Sequence, residues 1–553
     1  MNRALLKSSL AAAAVSLLCG CAADRVCDKG ACLREQGKVL KIGWGRRSLA
    51  TDQPVPITGQ FHLRVSQGVF TPVLVSALAL ENGEDSVIFV SADMASVPPP
   101  ILDGVKKNLA AEIPGFPVDK LIVNATHTHA GPAGRSLAIS YPNKVKFTPS
   151  EELRKFLVRQ FTDAVKEAWN TRAPGSVAYG YGFAATGHSR RTLYLDDIGK
   201  RDAAASGIAI NGHCKMYGKT DDDMFDGYEA GTDAFINLFY TFDCKGKLTG
   251  AVINVPCPAQ TGEGAWMLHA SFWHNVREKL AEKYGEVGVI CQSAGAGDLS
   301  PRQLHYLEAE KRRYRLKYAD KIAEYKKNPM KYPRMWVPTP EAAAKVLEYD
   351  IVEWMRAEDI ANRIVAAFDE VLSWAGKEKI SAPELKHEVR RVNLARRMFP
   401  AELVAEEEAK HKQVMKESFM TEGDEYEMLY HNSRLNSRRN RVGGVAERAA
   451  VQEKEPTIAT DIHVVRIGDI AFASNRFELF IDYMHRIQAR SPFVQTFIVQ
   501  LSVDENGTGS YLATERAIKN KGYSASPYCN QVSPEGGQQL VNATLDLLRE
   551  VRK

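Results

Sequence analysis

The feature that most constrains the fold of this chain is a short apolar run, 121–123, that leads directly into a loop carrying two histidines. The run has the length and composition of the end of a buried strand. His127 and His129 lie two residues apart, so their side chains would point the same way on an extended segment. Glycine and proline at 131–134 predict an open loop. The pair indicates a metal or acid–base site or, alternatively, one surface histidine and one histidine bonded to a backbone carbonyl.

Strand and helix patterns alternate around this loop. A strand at 85–90 precedes a helix at 101–112, and the strand at 120–124 that delivers the histidines precedes an amphipathic helix at 150–169. This order is typical of an α/β architecture. Further strands are predicted at 175–184, 235–242, 248–255, 287–291, 463–467, 470–474 and 494–501, and further helices at 477–488 and 538–551.

Residues 303–457 differ from the rest of the chain, because they are dense in charged side chains and have helical apolar spacing. We predict a mostly helical insertion or cap with solvated faces. A coiled coil is the alternative, although the apolar heptads are not sustained. No repeat or long flexible linker separates independent domains, so 41–553 is expected to form one domain that includes this insertion.

The first twenty residues have the pattern of an export signal, with Arg3 and Lys7 ahead of an apolar stretch, 10–18, that is too short to span a bilayer. The signal ends Leu18-Cys19-Gly20-Cys21, which resembles a bacterial lipobox. Cys21 would then be lipidated and begin the mature protein; the alternative is a chance cysteine in an ordinary signal peptide. We expect an exported bacterial protein, lipid-anchored in the cell envelope on the periplasmic face of the outer membrane or at the cell surface, with 21–40 as a tether.

Charge and cysteine content exclude two other classes of protein. The formal net charge is +5, of which Arg3 and Lys7 of the leader contribute two, and no basic stripe is interleaved with aromatic residues. Nucleic-acid binding is therefore not expected. The nine cysteines show no Cys-x-x-Cys spacing, so neither a zinc ribbon nor a disulfide scaffold is indicated, although Cys27 and Cys32 are close enough to form a small oxidised loop.

Other loops carry residues suited to chemistry. Arg190 and Arg191 follow a strand and could clamp an oxyanion or a carboxylate, or could be a surface pair. The small-residue loop 293–301 could bring backbone N–H groups close to an anion, but it lacks the Gly-Lys-Ser/Thr of a P-loop. Glu478 and Tyr511 each follow a strand.

In their order along the chain these loops resemble the catalytic domain of the neutral (non-lysosomal) ceramidases, zinc-dependent amidases that cleave the N-acyl bond of ceramide. The matching parts are Thr-His-Thr-His-x-Gly-Pro-x-Gly at 126–134, Ser189-Arg190, Gly-Asp-x-Ser-Pro at 297–301, Glu478, Arg490-Ser491-Pro492, and Tyr511 followed by Thr514. The resemblance runs from about 41 to 553, is weakest over 303–457, and implies a mixed-sheet α/β core. It does not extend to the family's C-terminal immunoglobulin-like domain.

The resemblance also implies roles for individual residues. His127, Glu478 and Tyr511 match three of the family's zinc ligands. His129 and Arg190 match the polar groups that hold the scissile amide and its oxyanion, and Ser300 matches a serine near the metal. Lying in the same turn as Ser300, Asp298 is expected to contact substrate.

One departure from the family concerns the second zinc histidine, which lies in a turn resembling Asn-Phe-Ala-Cys-His-Pro. This chain has Asn254-Val255-Pro256-Cys257-Pro258 there, so the ligand is missing at its expected place. If a neighbour replaces it, Cys257 and His269 rank above Gln260, because zinc favours thiolate and imidazole. We expect instead that three protein ligands suffice, and that the turn 256–263 lines the substrate pocket through Gln260 and Glu263.

The chain is therefore expected to be an exported zinc hydrolase that cleaves an amide, as in sphingolipid metabolism or on another small molecule. One alternative keeps the fold with a glycan or other polar substrate, and a second is a non-catalytic binding protein whose metal site has decayed. A long apolar groove would favour a lipid, whereas aromatic platforms with carboxylates would favour a sugar.

Overall fold

The computed structural model describes residues 39–201, 211–327, 340–507 and 510–553. The export signal, Cys21 and the pair Cys27 and Cys32 lie outside the described residues. The strands are β1 (Lys41–Ser48), β2 (Pro56–Ile57), β3 (Arg64–Val65), β4 (Leu74–Glu81), β5 (Ser86–Ala92), β6 (Leu121–Ala125), β7 (Ala173–Phe183), β8 (His188–Ser189), β9 (Arg191–Tyr194), β10 (Cys214–Met216), β11 (Phe225–Tyr228), β12 (Phe235–Asp243), β13 (Leu248–Val255), β14 (Gly288–Ser293), β15 (Leu299–Ser300), β16 (Leu385–Ala395), β17 (Thr457–Ile467), β18 (Ile470–Ser474), β19 (Glu478–Leu479), β20 (Gln495–Val499) and β21 (Tyr511–Leu512).

The helices are α1 (Pro99–Glu112), α2 (Ser150–Asn170), α3 (Phe272–Tyr284), α4 (Leu307–Lys317), α5 (Ala319–Lys327), α6 (Pro340–Ala375), α7 (Ala401–Val414), α8 (Glu425–Val451), α9 (Ile481–Gln488), α10 (Glu515–Asn520) and α11 (Pro534–Arg552). Among the helices the structure describes, none is both long enough and apolar enough to cross a membrane.

Two sheets form the centre of the molecule. The larger has eight strands in the order β14-β13-β12-β7-β1-β4-β5-β6, and the smaller has four in the order β16-β17-β18-β20. Each sheet contains both antiparallel and parallel pairs, for example β4 with β5 and β5 with β6. The prediction of a mixed-sheet α/β fold is confirmed.

Alternate residues of the central strands bury the two faces of the large sheet. In β5, Ile88 and Val90 pack with α1, α2, α3 and α6, whereas Val87 and Phe89 face the smaller sheet. The ring centroids of Phe89 and Phe472 lie 4.8 Å apart across the interface between the sheets. Helices α9 and α11 cover the far side of the smaller sheet. The layers therefore run helix, sheet, sheet, helix.

The region 303–457 contains the helices α4 to α8, but it also contains β16. This strand pairs with β17 from Leu385↔Ile467 to Ala395↔Thr457 and is an edge of the smaller sheet. Helix α6 contributes Ile360, Ile364 and Phe368 to the main core. The helical prediction for this region omitted the strand, and part of the region belongs to the central layers.

Candidate active site

His127 sits where β6 ends at the edge of the large sheet. The residue adopts a positive φ of 64°, which is uncommon for a residue other than glycine and turns the chain sharply. The turn brings its Nδ1 to within 2.7 Å of the carbonyl oxygen of Ala95. With the Nδ1 proton donated to that carbonyl, Nε2 carries a lone pair and lies 3.3 Å from Oε2 of Glu478. Burial disfavours the imidazolium, but the Glu478 carboxylate outweighs burial and raises the pKa of His127.

His129 lies against His127, with their Nε2 atoms 3.3 Å apart. Its Nδ1 is 3.0 Å from Oε2 of Glu263, and its Nε2 is 2.9 Å from Nε2 of Gln260. The ring packs on Gly59, where an added Cβ would lie 2.4 Å from the His129 Cγ. Burial lowers the pKa of His129 against the opposing effect of Glu263. The two histidines meet as the sequence predicts, but a sharp turn at His127, not an extended segment, brings them together.

Glu478 and Tyr511 are paired residues of two short parallel strands, β19 and β21. Both side chains are buried. The proximity of His127 offsets the effect of burial and lowers the pKa of Glu478. Residues far apart in sequence are thus delivered to the histidine loop by a single backbone pairing.

Arg190 is fully buried and connects the residues of this wall. Its Nη1 donates to the Tyr217 hydroxyl and to Oε1 of Gln260, both at 3.1 Å. Its Nη2 donates to the carbonyl of Gly297 at 2.8 Å and to the Tyr511 hydroxyl at 3.2 Å, and lies 3.7 Å from Oε2 of Glu478. Arg190 therefore holds a permanent positive charge beside the Glu478 carboxylate.

Arg191 does not join Arg190 in a clamp. Its Nη2 donates to Oε1 of Glu229 at 3.1 Å and to the carbonyl of Lys521 at 2.7 Å. Arg191 is therefore part of a buried structural ion pair with Glu229.

A cavity of about 670 Å³ is lined by the two histidines together with Arg190, Glu478 and Tyr511. Its wall contains charged, amide and aromatic side chains together: Phe61, His127, His129, Arg135, Arg190, Tyr217, Gln260, Glu263, Arg434, Glu478, Tyr511 and Tyr523. Gln260 and Glu263 thus lie where the sequence analysis expected the turn 256–263 to line a pocket.

Ser300 and Asp298 lie behind this wall and do not line the cavity. The Ser300 hydroxyl accepts from the backbone N–H of Arg302 at 3.2 Å. Asp298 accepts from the N–H of Ile481 at 3.0 Å through Oδ1, and its backbone carbonyl accepts from the N–H of Arg190 at 3.1 Å. Burial raises the pKa of Asp298 to about 7. Asp298 therefore fixes both the backbone of Arg190, between β8 and β9, and the start of α9.

The two residues ranked as substitute zinc ligands are engaged elsewhere. Cys257 is buried, its Sγ donates to the carbonyl of Thr186 at 3.2 Å, and burial raises the pKa of its thiol. His269 has its Nε2 3.0 Å from the carbonyl of Gly262, and its Nδ1 accepts from the N–H of Ser271 at 3.1 Å. Neither side chain lines the cavity.

The donor atoms of the wall can be tested against the needs of zinc. Within the described part of the chain, no group of three or more His, Cys, Asp or Glu side chains is arranged as a metal site. His127, Glu478 and Tyr511 nevertheless supply one nitrogen and two oxygens. In a tetrahedral zinc site with bonds near 2.0–2.1 Å, neighbouring donors lie about 3.3 Å apart. The 3.3 Å between Nε2 of His127 and Oε2 of Glu478 matches that separation, so these two donors are spaced as two ligands of one zinc ion would be.

Several residues in the cavity wall, or in contact with it, were not predicted from the sequence. The Nη2 of Arg302 lies 3.3 Å from Oε1 of Glu263. Because Arg302 directly follows the turn 297–301, its position in the sequence could have indicated a place near the site. Tyr217 adopts a positive φ of 56° in a short connection with no recognisable motif. Arg434 lies on α8, within the stretch that we interpreted as a solvated cap.

Comparison with known proteins adds information on the fold. The chain is similar to the crystal structure of neutral ceramidase from Pseudomonas aeruginosa, with a TM-score of 0.60, 14% identity, and coverage of 93% of this chain and 75% of that one. A structure titled ceramidase complexed with C2 gives a TM-score of 0.59 at the same identity and coverage. No family model matches the chain, and no curated protein matches it. At this identity the likeness establishes a ceramidase-like fold.

Proposed function

We propose that this chain is an exported, zinc-dependent hydrolase that cleaves an amide bond in the cavity beside His127. The observation that carries the proposal is the 3.3 Å approach of Nε2 of His127 to Oε2 of Glu478 in the cavity wall. Tyr511 is brought beside Glu478 by the pairing of β19 with β21. The fold, shared with solved ceramidases, supports the same assignment.

His127, Glu478 and Tyr511 would hold the zinc. Once bound, zinc would supply an activated water and polarise the carbonyl of the amide. The Ala95 carbonyl accepts from Nδ1 of His127 and so leaves Nε2 as the ring nitrogen that would face the metal. Burial alone would raise the pKa of Glu478, but the neighbouring His127 and Arg190 outweigh burial, lower the pKa and keep the carboxylate ionised.

His129 and Arg190 would act on the substrate. Arg190 carries its charge into the wall and would stabilise the oxyanion that develops on the carbonyl. His129 is oriented by Glu263 through Nδ1 and by Gln260 through Nε2. Because Oε1 of Gln260 accepts from Arg190, its amide Nε2 donates to Nε2 of His129. Nε2 of His129 therefore carries a lone pair, with which it would take up a proton released during hydrolysis and pass it to the departing amine.

A second candidate function keeps the fold and the site, but its substrate is a polar molecule and not a lipid amide such as ceramide. The favouring observation is the composition of the cavity wall, in which arginine, glutamate and glutamine side chains stand between the aromatic rings. A ceramide would have to bury long alkyl chains beside these groups, and burying unpaired polar groups is costly. The wall therefore fits a compact polar amide or a glycan better than a ceramide.

The test combines metal analysis with substrate screening of the full chain. Purified protein is analysed for zinc, stripped with a chelator, and assayed before and after zinc is restored against ceramide, short N-acyl amides and glycans. Zinc-dependent hydrolysis of any amide supports the proposal. Zinc-dependent cleavage of glycans alone supports the second candidate. Absence of bound zinc together with no hydrolysis would leave the non-catalytic binding protein as the better interpretation.

A further inference from the structure

We propose that Arg135 and Arg434 form an anion-binding subsite in the cavity, so that the amide substrate carries a carboxylate or phosphate group. The inference rests on the proposed function, because it names the class of substrate for the same site. It depends on which charges of the cavity wall are already neutralised and which are not.

Both carboxylates of the wall already have cationic partners. Glu478 lies 3.3 Å from Nε2 of His127 and 3.7 Å from Nη2 of Arg190. Glu263 lies 3.0 Å from Nδ1 of His129, and its other oxygen is 3.3 Å from Nη2 of Arg302. Neither carboxylate is therefore left to neutralise a further arginine.

Arg135 follows the histidine loop and lines the cavity. Among the side chains that the structure describes, it forms no ion pair with a carboxylate, and the group that bears on its charge is the Tyr141 hydroxyl. Partial burial lowers the pKa of Arg135, but the guanidinium remains charged at neutral pH and the residue is exposed at the cavity wall. An anion that enters the cavity can therefore reach it.

Arg434 reaches the same cavity from α8. Its Nη1 donates to the Tyr430 hydroxyl at 2.8 Å, and no described carboxylate pairs with it. Arg438 on the same helix behaves differently, because its Nη1 lies 2.8 Å from Oε2 of Glu417. Arg434 therefore brings to the cavity a positive charge that no described carboxylate neutralises.

A third guanidinium strengthens the positive potential behind this part of the wall. Arg441, two turns further along α8, stacks with its Cζ 4.5 Å from the ring centroid of Phe61 and 4.9 Å from that of Tyr523. Both rings line the cavity. Planar guanidinium groups bind carboxylate and phosphate through paired hydrogen bonds, so this face of the cavity has the chemistry to recognise an anionic group.

The experiment compares three short amides. N-butanoylglycine carries a carboxylate, N-butanoylglycinamide is its neutral counterpart, and N-butanoyl-O-phosphoethanolamine carries a phosphate. We expect the full-length zinc protein to prefer the better acidic amide over the neutral one by at least tenfold in kcat/KM. Arg434→Gln and Arg135→Gln should each raise KM for that acidic amide about tenfold, with kcat and the KM of the neutral amide unchanged within twofold. Comparison of kcat/KM between the carboxylate and the phosphate compound identifies which anion the subsite binds.

Arg438→Gln is the matched control, and it should leave every KM unchanged. Arg434→Lys should recover part of the lost selectivity, because it keeps the charge without the planar fork. Equal kcat/KM for acidic and neutral amides, or equal loss on both in Arg434→Gln, would overturn the subsite. If no amide is hydrolysed, calorimetric titration with N-acetylglycine and N-acetylglycinamide still tests the subsite. Tighter binding of the acid that is lost in Arg434→Gln supports the subsite, and equal binding of the two compounds refutes it.

Discussion

Nε2 of His127 lies 3.3 Å from Oε2 of Glu478, although His127 follows β6 and Glu478 lies far along the chain in β19. The contact depends on the positive φ of His127 and on the pairing of β19 with β21. The pairing also buries Leu479 and Leu512 in the core with α9 and α11, so the same two short strands both pack the fold and position the cavity wall.

The first prediction concerns the two histidines. His127→Ala should remove bound zinc and activity together, because it deletes the nitrogen that faces Glu478. His129→Ala should lower activity by two to three orders of magnitude with zinc retained, as expected for a group that acts on the substrate. Elemental analysis and amide hydrolysis are measured on the same preparations. Equal zinc content in the wild type and His127→Ala would contradict the assignment.

Gly59 gives a second prediction, because it holds the ring of His129 in place. Its φ of +103° and the 2.4 Å distance from an added Cβ to the His129 Cγ mean that Gly59→Ala must displace the ring. Activity should fall by more than tenfold with zinc content unchanged. Gly115→Ala is the control, since Gly115 has a φ of +76° with no atom within 4 Å of an added Cβ. Similar losses in both variants would point to backbone strain alone.

A third prediction concerns pH and Asp298, whose carboxyl is buried with Oδ2 unpartnered. Burial raises its pKa from 3.8 to about 7, so folding favours the protonated form. The contribution of the Asp298 carboxyl to the stability of the folded state is present in full below about pH 4 and is lost as the pH rises towards 7. The free energy of unfolding of the wild type relative to Asp298→Asn should therefore fall over this range by a few kcal/mol. A difference that stays constant from pH 4 to pH 8 would contradict it.

Much of the fold and part of the site could be predicted because both depend on local patterns. The strand that delivers His127 is a short apolar run followed by loop residues, and such a run is readable without tertiary information. The two-residue strands of Glu478 and Tyr511 were not predicted, and 478–479 was assigned to a helix, because these strands depend on pairing between distant segments. Strand β16 was missed because Arg390 and Arg391 interrupt its apolar pattern. It is stabilised by pairing with β17 along its whole length, which is a tertiary effect.

Arg434 and Tyr217 could not be assigned to the cavity for a related reason. A charged helix such as α8 has the same pattern whether its arginines face solvent or a cavity, so the sequence favours a solvated face. Tyr217 reaches Arg190 only because β9 and β10 pair. Conversely, Arg191 resembled a functional arginine in sequence, and only its contacts with Glu229 show a structural role.

The fourth prediction concerns location. Cys21 ends a segment that resembles a lipobox, so Cys21→Ser should shift the protein from the membrane fraction to the soluble fraction of the cell envelope. Fractionation followed by immunoblotting measures the shift, with a Cys27→Ser variant as control. A protein that remains in the membrane fraction after Cys21→Ser would show that it is held there by something other than a lipid on this cysteine.

The last prediction concerns the place of the missing second histidine. Cys257 and His269 are the nearest ligands that zinc would favour, but both already use their polar atoms in hydrogen bonds to the backbone. Recruiting either would leave a buried carbonyl or N–H unsatisfied, at a cost of about 1–3 kcal/mol. Cys257→Ser and His269→Gln should therefore lose some thermal stability and keep the zinc content of the wild type. A folded variant of either kind with a clearly reduced zinc content would identify that residue as a metal ligand and refute a site that depends on His127, Glu478 and Tyr511 alone.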